Sequence, residues 1–360
     1  MRGRINITAA SACLLLTLIA AAFAQTPNAS PAADLKVGGD AKIESGVERW
    51  RAKAAGGVYS TPLVAGGAVY FGSHDYQVYS VDEATGKELW RFRTGGRVLG
   101  SPALDAGTLY FGSQDTKFYA IDAATGRLKW KFKALYALNN APAVAGGAVY
   151  FTCTDGALYA VDAETGKLRW ALSGIAGTPS APVLSGGSLV IGTGSGLISV
   201  DAATGKKRWS YAAGRAVTSA PVVADGVAYA ASLDGSLHAV DAGAGEAKWK
   251  FKVEGGLPFS PAVANGAVFF GGIGGTFYAL DAASGKELWR FAAENGVTSA
   301  PTVADGVVYF GSAKGLYGLD AATGRQRFWF ETSHIVTSAP VSAGGLIYFG
   351  GWDGTLYAVR

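Results

Sequence analysis

A set of aspartates, three histidines and two cysteines are the side chains here whose chemistry could go beyond packing. Asp75, Asp115, Asp155, Asp234 and Asp353 recur at matched places along the chain, and grouped carboxylates can hold a cation or act as a base. Each sits in a short turn between apolar runs, so each is read as a turn residue rather than a metal ligand. His74, His238 and His334 are scattered. His238 takes a slot that other segments fill with Tyr, which makes it a packing substitute, and His334 lies in a loop leading into a strand. No Cys/His spacing suggests zinc, and no Ser, His and Asp converge by position. Stretches such as "GGIGGT" are hairpins rather than phosphate loops, because no helix follows whose N-terminus could meet a phosphate. Cys13 belongs to an N-terminal apolar run, which leaves Cys153 alone as a replacement for the Ser or Gly of its loop. No catalytic residue, metal ligand or cofactor site is predicted.

The elements that position these residues follow from the rest of the chain. Its 360 residues are only 16% charged and include 52 glycines, a glycine-punctuated composition unlike that of a helical or disordered chain. Residues 1–24 read as a signal peptide: Arg2 and Arg4, then the apolar run "CLLLTLIAAAFA", then a small-residue cleavage pattern before Gln25. Export to a periplasmic or extracellular compartment is expected, without a transmembrane span. Cys13 stands at the start of the apolar run, badly placed for lipid attachment, so no lipid anchor is expected. Residues 25–46 are Pro-, Ala- and Ser-rich and are predicted to be a flexible tether. Without Arg2 and Arg4 the 31 basic residues become 29 against 27 acidic ones, a nearly neutral balance that argues against nucleic acid as a partner.

From residue 47 onward the sequence repeats. Proline recurs at 62, 102, 142, 182, 221, 261, 301 and 340, in steps of 39 or 40. An aspartate opens turns such as "VDEATGK" and "LDAASGK", and eight residues later stand Trp90, Trp130, Trp170, Trp209, Trp249 and Trp289. Within each unit the apolar period is two, broken by Asp-Gly or Gly-Gly, the pattern of four short antiparallel strands. Eight such units predict an all-β, eight-bladed propeller spanning 47–360. The eighth unit lacks a fourth strand, while "VERWRA" around Trp50 is a fourth strand without the other three. Pairing 47–52 with 355–359 closes the ring and removes an open edge, and the closed ring is expected to be a monomer. The turn aspartate and threonine accept backbone N–H bonds, glycine takes positive φ, and the tryptophans fill the gaps between blades.

This repeat, Asp-x-x-Thr-Gly-x-x-x-Trp with Ala-Pro at the innermost strand, resembles the pyrroloquinoline-quinone (PQQ) propeller family over residues 47–360. The resemblance implies tryptophan docking between blades. It also implies two kinds of relative: quinoprotein dehydrogenases that bind PQQ with calcium, and non-catalytic scaffolds of the outer-membrane assembly-factor BamB type. The dehydrogenases typically carry long insertions and an adjacent cysteine pair, whereas the loops here are minimal and the chain after residue 24 has one cysteine.

In a repeat chain, function is sought where the copies differ. Twelve residues after the proline stand His74, Gln114, Thr154, Leu233, Ile273 and Trp352, and two residues before it Ser gives way to Gly100, Asn140 and Phe259. These loops share one face, opposite the "DAATGK" turns. Trp352, Asp353, His74, Asp75, Gln114, Asn140, Leu233, Phe259, Ile273 and His334 are therefore the candidate partner-binding surface, with Trp352 at its centre. The alternative is that Trp352 folds onto its own loop. In "FWF", Phe328 holds the docking position by count and Trp329 stands where other units have Arg or Lys. Trp329 is either a lateral contact patch or docks itself through a bulge. The expected function is an exported, non-catalytic scaffold that binds envelope proteins such as outer-membrane assembly machinery. The alternative is a propeller that binds PQQ with calcium or another small ligand.

Overall fold

Second strands of the "AVYFG" type are buried on both faces, and that single property dictates the architecture. A continuous apolar run can be satisfied only if sheets pack against it from both sides. The computed structural model describes residues 43–360 and arranges them in eight antiparallel sheets. The predicted signal peptide, and the tether as far as residue 42, lie outside the described residues. Blade one comprises Leu63–Ala65, Ala68–Gly72, Gln77–Asp82 and Glu88–Arg93, and blades two to six repeat that order. Blade seven comprises Thr302–Ala304, Val307–Gly311, Gly315–Asp320 and Gln326–Glu331. Blade eight comprises Val341–Ala343, Leu346–Gly350 and Thr355–Val359, completed by Glu48–Lys53 from the other end of the chain. The predicted eight-bladed ring and its closing strand are both present. Apolar alternation, expected throughout each unit, holds only on the outermost strands, where one face meets water; the two middle strands have neighbours on both sides.

Blades are tied together by the repeated tryptophans. The Trp90 indole N–H donates to the Ala123 carbonyl of the next blade at 3.0 Å, and Trp50, Trp130, Trp170, Trp209, Trp249 and Trp289 make the equivalent bond. Each ring lies on the next blade's turn glycine. Gly86 has φ +70°, and a Cβ there would come within 2.4 Å of the Trp50 ring, so backbone and packing both demand glycine. In the turn itself, Asp82 Oδ1 accepts from the Thr85 N–H at 2.9 Å and the Thr85 hydroxyl at 2.6 Å.

The seam of blade eight rebuilds this turn from two separate segments. Arg360 N–H donates to the Val47 carbonyl at 2.9 Å, as Asp82 N–H does to Lys87 at 2.8 Å in blade one. Gly46 lies against Phe328 as Gly86 lies against Trp50. The phenylalanine ring carries no N–H, so blade seven needs no carbonyl acceptor for it at the split turn. The expected tether is shorter than predicted at its C-terminal end: Glu44–Ser45 pair in parallel with Phe328 and Trp329 on the edge of blade seven. Seating Gly46 over Phe328 draws that segment along the exposed edge, whose free backbone groups it satisfies.

Candidate functional site

The loop face is assembled from two kinds of loop, and the serines before the proline hold them in place. Ser60 Oγ accepts from the Gly72 N–H at 2.7 Å and donates to the Gly72 carbonyl at 3.1 Å, pinning the loop before the innermost strand onto the second strand. Ser180, Ser299 and Ser338 accept in the same way. Where serine is replaced, the structure supplies a different tie. Asn140 Nδ2 donates to the Thr152 hydroxyl at 3.0 Å and across the blade gap to the Pro179 carbonyl at 2.8 Å. Gly100 makes room for it, since a Cβ there would meet the Asn140 backbone at 2.5 Å. Phe259 is half-buried and packs with the cluster around Phe269 and Phe310. These two members of the predicted surface are engaged in holding blades together.

The other members divide by location. Trp352 is 48% exposed, and its ring meets Tyr59 edge-on at 5.7 Å. Tyr59 in turn stacks flat on His74, with centroids 4.1 Å apart and planes 9° from parallel. Burial, and then the nearby Arg97 guanidinium, push the His74 imidazole down to about 4, so the stack is neutral at ordinary pH. Gln114 Nε2 donates to Asn139 Oδ1 at 3.3 Å on the neighbouring loop. Leu233 and Ile273 are half-buried on blades five and six, and Ile273 lies against Gly256. His334 is exposed, with Nδ1 3.0 Å from the Ser333 hydroxyl. His238 is buried, its Nδ1 2.9 Å from the Tyr211 hydroxyl.

Tyr59 escaped the sequence reading although its signal was present. It stands three residues before the proline, where the other units carry Leu99, Asn139, Pro179, Thr218, Pro258, Thr298 and Thr337. That position varies as much as the neighbouring one and was passed over. Tyr76 and Tyr136, 41% and 54% exposed, likewise stand outside the two positions, twelve after and two before the proline, where the repeat shows its departures.

The carboxylates of the face are occupied by their own turns. Asp75 accepts from Ala55 N–H, Gln77 N–H and the Tyr79 hydroxyl, the last at 2.6 Å. Asp115 repeats this with Gly95, Lys117 and Tyr119. Burial alone would raise the pKa of Asp115, but the Tyr119 hydroxyl and two backbone N–H groups outweigh it and hold the group below its usual value. Asp353 bonds to Thr355 and to Lys53 at 3.0 Å. Among the described residues no three His, Cys, Asp or Glu side chains come together in a way that could hold a metal ion. Cys153 is buried, which pushes its thiol up to about 11.

Blade seven resolves the "FWF" alternatives geometrically. Phe328 pairs with Gly318 as Trp90 pairs with Ser80, and its ring meets Tyr309 at 5.8 Å, where Trp90 meets Tyr70 at 5.9 Å. Every blade carries a register shift just before this position, so the shift does not bring Trp329 into the gap. Trp329 instead covers Tyr317 at 4.5 Å on the outer surface, where Arg91 and Arg290 cover Tyr79 and Tyr278 at 5.6 and 5.8 Å.

Comparison with known proteins places this geometry. The family described as "Outer membrane protein assembly factor BamB" matches residues 40–101, 74–232, 171–260 and 234–360. Among solved structures, BamB from Moraxella catarrhalis aligns with a TM-score of 0.76 at 18% identity, covering 88% of this chain and 99% of that one. The computationally designed protein Ika8 aligns with a TM-score of 0.78 at 18% identity, covering 86% and 98%. A quinohemoprotein alcohol dehydrogenase from Pseudomonas putida HK5 aligns with a TM-score of 0.72, also at 18% identity, covering 88% of this chain and 76% of its own. At such identity these likenesses concern the fold. No curated protein matches the chain. With its repeat matched from residue 40 to residue 360, the chain belongs to the PQQ-repeat propeller family described as outer membrane protein assembly factor BamB.

Proposed function

We propose that this chain is an exported, non-catalytic propeller scaffold that docks an envelope protein on its loop face, in outer-membrane protein assembly. The observation that carries the reading is Trp352, held edge-on against the Tyr59–His74 stack with nearly half its surface in water. A large ring kept rigid and exposed is how binding hot spots are built, since little conformational freedom remains to be lost on docking. Membership of the assembly-factor family supports the same reading. The test is in-cell photocrosslinking from position 352, with position 85 on the opposite face as control. An adduct to an outer-membrane assembly component from 352 alone supports the scaffold. Equal labelling from both positions, or none from 352, overturns the assignment of the surface.

A second reading, a ligand-binding propeller of the quinoprotein kind, is kept alive by the structural likeness to the alcohol dehydrogenase. The donor set does not suit it. A PQQ–calcium site needs carboxylate and amide oxygens free to point at the cation, whereas Asp75, Asp115 and Asp353 are consumed by hydroxyl and backbone donors of their own turns. Titration with PQQ and calcium, followed by tryptophan fluorescence, checks this. Saturable quenching that requires calcium would restore the ligand-binding reading.

A further inference from the structure

Aromatic and basic side chains of the loop face gather on the same three consecutive blades. Trp352 belongs to blade eight, His74 and Tyr76 to blade one, and Tyr136 to the loop leaving blade two. On those blades the outermost strand ends at the loop face in a cation: Lys53, Arg93 and Lys133. Elsewhere the corresponding residue is Ser173, Ala212, Lys252, Ala292 or Glu331, so the basic run is interrupted on blade seven and on blade three. Arg97 adds a further cation beside His74.

The acids of these loops offset the arc only in part: Asp353 lies 3.0 Å from Lys53 and Asp115 3.3 Å from Lys117, while Asp75 accepts from neutral donors of its surroundings. Arg93, Arg97 and Lys133 make no ion pair among the described residues. Backbone strain points to the same arc. Tyr76 has φ +72°, at a position where Gly156, Gly235, Gly275 and Gly354 lie near +80°. A bulky L side chain in that conformation costs free energy, and the Tyr76 ring, 41% exposed, does not recover it by burial.

We propose that this arc is the docking groove for an extended acidic segment of a partner protein, a refinement that rests on the scaffold reading above. The two rows of side chains suit such a segment. The cations end the outer strands beside Tyr76, whose carbonyl accepts from the Thr94 N–H, while Trp352, Tyr59 and His74 form one cluster before the innermost strand of blade one. An extended chain alternates its side chains to opposite sides, so one laid between the rows presents carboxylates to Arg93 and Lys133 and apolar groups to Trp352 and Tyr59. The remaining charges nearly balance over the chain, which makes a local basic arc a means of selecting and orienting a partner rather than of general anion binding.

The test uses the exported protein and a fluorescein-labelled peptide of about twelve residues alternating Glu with Phe or Leu, followed by fluorescence polarisation. Binding that weakens as salt rises is expected, with a loss of about tenfold or more in affinity for W352A and for the paired reversal R93E/K133E. K167E, on the opposite face, is expected to leave affinity within about twofold. Thermal melts of each variant confirm folding, since all four altered side chains reach the surface. Equal binding of the same peptide with Lys for Glu overturns the proposal, as does an unchanged affinity in R93E/K133E. Displacement of the peptide by heparin or by phosphatidylglycerol vesicles that bind more tightly also overturns it, in favour of a general polyanion surface. If position 352 still crosslinks to an assembly component in cells while the acidic peptide fails to bind, the acidic groove falls and the scaffold reading stands. If the crosslink is lost as well, both fall.

Discussion

At the residue scale, the distinction that matters is between a ring that is rigid and wet and one that is rigid and dry. Trp352 is held by Tyr59 with about half of its surface covered, so W352A is expected to cost about 1–2 kcal/mol of unfolding free energy while weakening the acidic peptide about tenfold. A urea melt checks the first part. His238 is the opposite case. It is 1% exposed, and its Nε2 has no partner among the described residues. Burial, with Lys250 adding to it, lowers its imidazole to about 4. The unfolded chain, with an ordinary histidine near pH 6.5, therefore binds more protons than the folded one between those values. Stability is fully present above about pH 6.5 and is lost as pH falls toward 4, by on the order of 2–3 kcal/mol for this residue. H238Y restores the residue that blades one to three carry at this place, Tyr79, Tyr119 and Tyr159. It should flatten the slope of unfolding free energy against pH between 4 and 6.5, leaving the part due to His74. An unchanged slope would show that the burial of His238 is not what the acid must overcome.

At the scale of elements, the outer strand and the next blade's turn form one mechanical joint. The Trp130 ring packs against Gly166 and its N–H reaches the Ala163 carbonyl at 2.9 Å. W130F removes the indole N–H bond and a small part of the ring, while the Ala163 carbonyl keeps the Tyr110 hydroxyl at 3.0 Å, so a loss of about 1 kcal/mol is expected. W130A also empties the gap between blades, for about 3–5 kcal/mol. Chemical denaturation of the two variants separates the contributions, and equal losses would mean that the ring's packing is irrelevant. This joint was legible in the sequence because it recurs at one spacing. Its exception at Phe328 was legible by counting, but the reason was not: only the folded ring brings Gly46 and Arg360 together as the turn that Phe328 meets.

At the scale of the whole molecule, closure converts two ends of the chain into a shared blade. Lys53 pairs with Thr355, and Trp50 with Ala358, across about three hundred residues of sequence. Removing residues 1–53 therefore exposes the edge of Thr355–Val359 and empties the gap that Trp50 fills. The expected outcome is a fall in melting temperature of roughly 10 °C or more, with concentration-dependent association through the bare edge. Differential scanning fluorimetry and size-exclusion chromatography read both effects. A truncated chain that melts unchanged as a monomer would show that the ring does not depend on this seam.

The sequence by itself determined the number of blades, the strand that closes them, the docking rings and the turns, because each is repeated and each repeat obeys the same local chemistry. Tertiary structure alone decided which of the irregular side chains face water. Asn140 and Phe259 vary from the repeat as plainly as Trp352 does, yet they turn toward neighbouring blades while Trp352 stands out on Tyr59. The direction of a loop side chain depends on the backbone of the adjacent blade, which lies some forty residues away in sequence and beside it in space.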